Sequence, residues 1–252
     1  MNTIRGPRTG TLGAEVILPE GAVPSDRRLG TALIWAAAAS LLATAGMAGF
    51  TQSGSPKSRL AAQLAEHGSV GVSYRVGFVC ASLLSLAFLT MLVLLLAARG
   101  REAMRLRDWL GVLFLPMYAT CSIVAYMSQY VVLPVLIERD PSGAGAWYFQ
   151  DERSIPVALD LLGYAFVAIA LGLFAIGFYQ REGIWRWIGK VMLLVAATSF
   201  AAFMVLAAGA RSAAGLVSIT SAVLMMPLAG LAIALGRQLR RPPQPKPVIR
   251  LY

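Results

Sequence analysis

The chain of 252 residues is 58% hydrophobic and only 13% charged, and it carries a net charge of +10. A soluble domain of this length normally has about a quarter of its residues charged, and a mean hydropathy of +0.68 does not fit a water-soluble surface. These values exclude a disordered chain, a disulfide scaffold and an ordinary soluble enzyme. They predict an integral membrane protein.

Six stretches that are almost free of charge are long enough to cross a bilayer, which takes about 20 apolar residues. They cover about residues 30–50, 76–98, 109–137, 155–180, 189–210 and 213–236. We therefore predict an all-α fold, a polytopic bundle of six transmembrane helices. The first stretch could instead be a cleaved signal sequence, because Ala43-Thr44-Ala45 resembles a cleavage site, but the stretch and the segment before it are long for that role.

The distribution of Lys and Arg predicts the orientation, because basic residues accumulate on the cytoplasmic side. Sixteen of the 22 Lys and Arg lie in residues 1–29, in the second and fourth connections and in residues 237–252. Both termini are therefore expected in the cytoplasm, with 1–29 as a flexible leader and 237–252 as a basic, Pro-rich tail. We expect the basic segments to bind anionic lipid headgroups and no nucleic acid, and the protein to reside in a bacterial inner membrane.

Two segments are expected on the outer face. Residues 56–67 read as a short amphipathic helix, with Ser55 as its cap and Pro56 in its first turn. This helix ends at His67, which is the only histidine, so haem and metal sites that need several imidazoles are excluded. The second segment, residues 138–153, contains Trp147-Tyr148-Phe149, which either sits in the headgroup belt or covers the mouth of a pocket.

Apart from Lys190 at the very start of the fifth stretch, Asp160 is the one charged residue inside a predicted span. A carboxylate at the centre of a bilayer costs about 2.5–3.5 kcal/mol, and such residues are functional candidates by default. Asp160 lies closer to the outer boundary than to the midplane, however. It could also be an acid in the first turn of a helix that begins near Pro156, where the helix dipole would stabilise it.

The third span supplies polar neighbours for Asp160. Tyrosine and serine recur there at four-residue spacing, which places them on one helical face, and an amide and a further phenol continue the stripe. Counting inward from the two outer boundaries brings this stripe to the depth of Asp160, and one tyrosine lies a turn below it. The candidate ligand-binding residues are Asp160, Tyr164, Tyr126, Gln129, Tyr130 and Tyr118, with Arg75 and Arg211 as possible ion-pair partners of Asp160.

Two interpretations of this cluster remain open. It is either a hydrogen-bond network that fixes helix packing or a pocket for a small polar or cationic solute, with Asp160 as counter-charge and the tyrosines as walls. No phosphate-binding loop, nucleophile elbow or pair of closely spaced cysteines is present. We therefore predict no catalytic residue, metal or cofactor. The functions considered are solute binding or transport, a structural or accessory role without ligand, and a membrane enzyme that uses Asp160 with Tyr126 or Tyr164.

Overall fold

The computed structural model describes residues 24–51, 70–100, 104–149, 151 and 154–241. These residues are almost entirely helical and contain no strand. Six of their helices are long and apolar enough to cross a membrane. We name them α1 (Pro24–Thr51), α2 (Val72–Arg99), α3 (Leu106–Arg139), α4 (Ile155–Tyr179), α5 (Ile184–Ala207) and α6 (Arg211–Arg240). The protein is thus an all-α, multi-pass membrane protein.

The helix boundaries extend the predicted spans at several points. The first helix begins at Pro24 and the last ends at Arg240, so a few residues assigned to the leader and the tail are helical. The expected outer-face helix over 56–67 lies outside the described residues, as do residues 1–23 and 242–252.

The six helices form a ring in chain order. Each helix packs against the next one along the chain, and α6 returns to pack against α1. Short connections favour such antiparallel neighbours. Two of them turn at Gly100 and Gly183, whose positive φ angles of 90° and 62° suit glycine. The ring is filled by a continuous apolar core to which all six helices contribute, including Leu33, Phe88, Leu115, Phe174, Met192 and Leu228.

Glycines set the closest helix contacts in the ring. A Cβ atom on Gly30 would lie 2.6 Å from the carbonyl oxygen of Gly236, and the reverse distance is also 2.6 Å. This crossing closes the ring between α1 and α6, and no larger residue fits there. Close approach at small residues is the expected mode of packing in lipid, where apolar burial alone does not hold helices together.

The third helix contains one turn of π-helix at Ser128–Val132, where the Leu133 amide donates to the Ser128 carbonyl five residues earlier. The next residue, Pro134, has no amide hydrogen and its ring would crowd the carbonyl four residues before it. Widening the preceding turn relieves that conflict. The π-helical turn also rotates the residues that follow it relative to a regular α-helix.

We refer to the two ends of the bundle by the orientation that the charges predict. The predicted outer end is where α2 begins, α3 ends and α4 begins. The predicted inner end is where α2 ends, α3 begins and α4 ends.

Candidate functional site

Asp160 lies one and a half turns into α4 and is buried, with only 8% of its surface exposed. The hydroxyl groups of Tyr126 and Ser122 on α3 are placed to donate to its carboxyl group. The Oδ1 atom has no hydrogen-bond partner. Asp160 is therefore a buried carboxyl group with unused hydrogen-bonding capacity.

Three tyrosines surround this carboxyl group. Tyr126 adjoins both Asp160 and Tyr164. Tyr118 lies deeper in the bundle than Tyr126, beside Ser122. Tyr118 and Tyr126 are buried and belong to α3, whereas Tyr164 is half-buried and lies one turn below Asp160 on α4. The α3–α4 contact thus brings a carboxyl group and three phenols together.

No basic side chain neutralises Asp160 within the described part of the chain. Arg75 is half-buried near the start of α2, and it forms no ion pair with Asp160. Arg211, the other partner considered, lies at the start of α6, and its side chain is outside the described set. An ionised carboxylate at this depth is costly unless a cation accompanies it.

Gln129 lies in the π-helical turn and is completely buried. Its Oε1 accepts from the Tyr74 hydroxyl at 2.8 Å and from the Phe149 amide at 3.0 Å. Its Nε2 donates to the Trp147 carbonyl at 2.9 Å and to Ser128 Oγ at 2.7 Å. Gln129 therefore uses both ends of its amide to hold the connection after α3, and it faces that connection rather than Asp160.

The connection between α3 and α4 folds back onto the bundle. Asp140 caps a short helix, Pro141–Ala144, by accepting from the Gly143 amide, and a 3₁₀ turn, Gly145–Trp147, follows. Tyr148 is 2% exposed and stacks on Tyr74 with the ring centroids 5.6 Å apart.

Phe149 completes the cover. Its ring centroid lies 5.7 Å from that of Tyr126 and 5.1 Å from that of Phe78. Tyr148 and Phe149 therefore pack against protein side chains of α2 and α3. We call residues 145–149 the aromatic cover, and it rests directly on a phenol of the Asp160 cluster.

Tyr130 takes a different direction from the other tyrosines. Its hydroxyl lies 3.3 Å from Ser82 Oγ on α2. The partners of Asp160 are instead Tyr126 and Ser122, which lie about one and two helical turns deeper on α3 than Tyr130. α3 therefore projects further outward than the start of α4, and its outer end packs against the short helix of the connection.

Some residues of the cluster were absent from the set of candidate site residues. Ser122 lies in the tyrosine stripe and adjoins Asp160, and Ser85 on α2 adjoins Tyr118. Gly163, one turn from Asp160, lets α4 approach α3, because a Cβ there would lie 2.9 Å from Ser122 Oγ. Asp160 and Gly163 are three residues apart, so they lie on the same face of α4. This spacing is the sign of the α3–α4 contact that the sequence offers.

A second buried polar contact lies at the predicted inner end. Arg99 and Asp108 are 4% and 0% exposed and form an ion pair of 2.5 Å. Asp108 also accepts from the Arg105 amide at 2.8 Å, which caps the start of α3. In the sequence both residues simply border predicted spans, and no pattern there indicates their burial.

The cysteines and the metal-ligating residues add no site. Cys80 and Cys121 are free thiols, and no group of three or more His, Cys, Asp or Glu in the described ranges could hold a metal ion. Comparison with known proteins gave no match to a family model, a curated protein or a solved structure.

Proposed function

We propose that this membrane protein binds a small cationic solute in the predicted outer half of its bundle, with Asp160 as the counter-charge. The observation that carries the proposal is the burial of Asp160 without an ion-pair partner. It is a buried carboxyl group with an unpartnered oxygen, and no basic side chain of the described residues pairs with it. A cation bound beside it would supply the compensation that the chain does not.

The tyrosines suit the same ligand. Aromatic faces attract cations, and the attraction is strongest where water is excluded. Tyr118, Tyr126 and Tyr164 lie around Asp160, and their hydroxyl groups can orient a polar ligand. A primary, secondary or quaternary amine or a guanidinium compound is therefore the solute class that this environment favours.

The aromatic cover lies on the route by which a solute would reach Asp160. It consists of a connection rather than a spanning helix, and its ring contacts with Tyr126 lie on the predicted outer side of Asp160. Displacing Phe149 would uncover Tyr126 first and Asp160 next. We infer that the solute enters from this side and that Gln129 holds the closed position. Release toward the other side would make the protein a transporter.

The proposal is tested by a thermal-shift screen of the purified full-length protein in detergent. The probes are tetramethylammonium, choline, putrescine, agmatine and guanidinium, with glycerol and acetate as uncharged and anionic counterparts. We expect at least one cation to raise the unfolding temperature of the wild type and not that of Asp160→Asn. Glu138→Gln is the matched control, because it removes an exposed carboxylate at the same end of the bundle.

A cation that stabilises wild type and Asp160→Asn equally would remove Asp160 from the site. A screen without any hit would instead favour the structural or accessory role. That second function is supported by the close approach of α3 and α4 at Gly163, which places the Asp160 cluster at a tight helix contact. If the cluster serves packing alone, Asp160→Asn should lower the unfolding temperature without changing any response to cations.

A further inference from the structure

We propose that Arg107 and Arg181 form a site for the phosphate group of an anionic phospholipid at the predicted inner end, between α3 and α4. The site is separate from Asp160 and does not depend on the function proposed above. It makes specific the general expectation that basic segments of this chain attract anionic headgroups.

The end of α4 brings the two guanidinium groups together. Arg107 Nη2 donates to Gln180 Oε1 at 3.4 Å, and Arg181 Nη2 donates to the Arg99 carbonyl at 3.0 Å. Gly177 makes room for this arrangement, because a Cβ there would meet guanidinium nitrogens of both Arg99 and Arg107. The three arginines therefore converge on the last turn of α4.

The charges at this site do not cancel. Asp108 is paired with Arg99, whereas neither Arg107 nor Arg181 is paired with a carboxylate among the described residues. The Arg107 Nε atom is buried and has no hydrogen-bond partner. Arg181 lies over the Trp185 ring, 5.5 Å from its centroid, which holds its side chain in place. Two guanidinium groups that the protein holds in place and that pair with no carboxylate match the oxygens of a phosphate.

The surface beside the arginines favours a lipid over a free phosphate ion. Leu106, Trp109 and Leu110 flank Arg107 on α3, and they are 76%, 55% and 44% exposed. Tyr179, next to the end of α4, is 52% exposed. Exposed apolar and aromatic side chains beside a membrane-boundary charge are suited to acyl chains and the headgroup boundary. The occupant is therefore a lipid whose phosphate meets the arginines and whose chains lie on these side chains.

Native mass spectrometry of the full-length protein in detergent tests the site. Dioleoyl phosphatidylglycerol is titrated against dioleoyl phosphatidylcholine, which has no net charge. We expect the wild type to prefer phosphatidylglycerol and Arg107→Gln/Arg181→Gln to bind it about thirty-fold more weakly, because each substitution removes a charge-assisted hydrogen bond to the phosphate. Arg186→Gln/Arg237→Gln is the matched control, because both residues are exposed at the same end, and it should change the affinity less than about three-fold.

Each of the following results would overturn the proposal. The control variant could lose as much affinity as Arg107→Gln/Arg181→Gln, so that only total charge matters. Phosphatidylcholine could bind the wild type as tightly as phosphatidylglycerol. Inorganic phosphate at millimolar concentration could compete fully with the lipid, which would assign the site to a free anion. If the double variant does not fold, each single Gln variant is expected to lose about five-fold, and unchanged affinity in either would also count against the site.

Discussion

At the residue scale, the Asp160 cluster depends on a small residue as much as on its polar ones. Gly163 sits where α4 crosses α3, with Ser122 and Cys121 directly opposite. A methyl group at this position has no space, and overpacking a helix contact costs about 1–3 kcal/mol.

We therefore expect Gly163→Ala to lower the free energy of unfolding by about 1–3 kcal/mol and to weaken cation binding at Asp160, because it separates the two helices. Gly172→Ala on the same helix is the control, since nothing lies within 4 Å of its added Cβ. The control should be neutral or slightly stabilising, as Ala is the better helix former. Both are measured by thermal unfolding in detergent, and equal effects of the two variants would contradict the account of the contact.

A substitution of Gln129 should test what holds the aromatic cover in place. Gln129→Leu leaves the Tyr74 hydroxyl, the Phe149 amide and the Trp147 carbonyl without their buried partner. Losing such hydrogen bonds should cost about 2–4 kcal/mol in the free energy of unfolding. The same substitution at exposed Gln238 should change it by less than about 0.5 kcal/mol. Similar losses at the two positions would show that Gln129 does not hold the aromatic cover.

At the element scale, the aromatic cover is the part that a sequence predicts least well. The periodicity of the third span continues through Gln129 and Tyr130, and it places both on the face of Tyr126. The π-helical turn before Pro134 redirects them, Gln129 to the cover and Tyr130 to Ser82. The burial of Tyr148 depends on contacts with α2, far away in the sequence, which local patterns do not encode.

The spanning helices themselves were predictable, because apolar length and the positions of charges mark them directly. The described residues contain six helices that are long and apolar enough to cross a membrane, as predicted. Asp160 and its neighbour Tyr126 were also predictable, since a lone charge within a span attracts the nearest polar stripe. The burial of Arg99 and Asp108 was not, because opposite charges at a span boundary look the same whether they are solvated or paired.

The cover should respond to alkaline pH. Burial raises the pKa of Tyr148 from its ordinary value of about 10 to about 12. A detached cover would ionise at the lower value, so the stability contributed by docking is intact below about pH 10 and is lost as the pH rises toward 12. We expect a tyrosinate absorbance step in this range, accompanied by a lower unfolding temperature, that is missing in Tyr148→Phe. Tyr179→Phe, an exposed phenol, should leave that step in place, and an unchanged step in Tyr148→Phe would contradict the assignment.

At the scale of the whole molecule, the account depends on the orientation in the membrane. The net charge of +10 is concentrated in the segments assigned to the cytoplasm, and this assignment places Asp160 and its cover on the outside. A reporter fused after Arg101 should be active only in its cytoplasmic form, and one inserted after Asp151 only in its exported form. An exported signal at Arg101 would reverse the orientation.

The six helices enclose two apolar clusters, and among the described residues Asp160 is the buried carboxyl group that no basic side chain pairs with. The proposed function requires that Asp160 has a cationic partner from outside the chain. The most direct measurement is isothermal titration of the cation that gives the largest thermal shift into wild type, Asp160→Asn and Glu138→Gln. The account predicts saturable binding with one site in the wild type and in Glu138→Gln, and at least a tenfold loss of affinity, about 1.4 kcal/mol, in Asp160→Asn. Equal affinity of wild type and folded Asp160→Asn would contradict it.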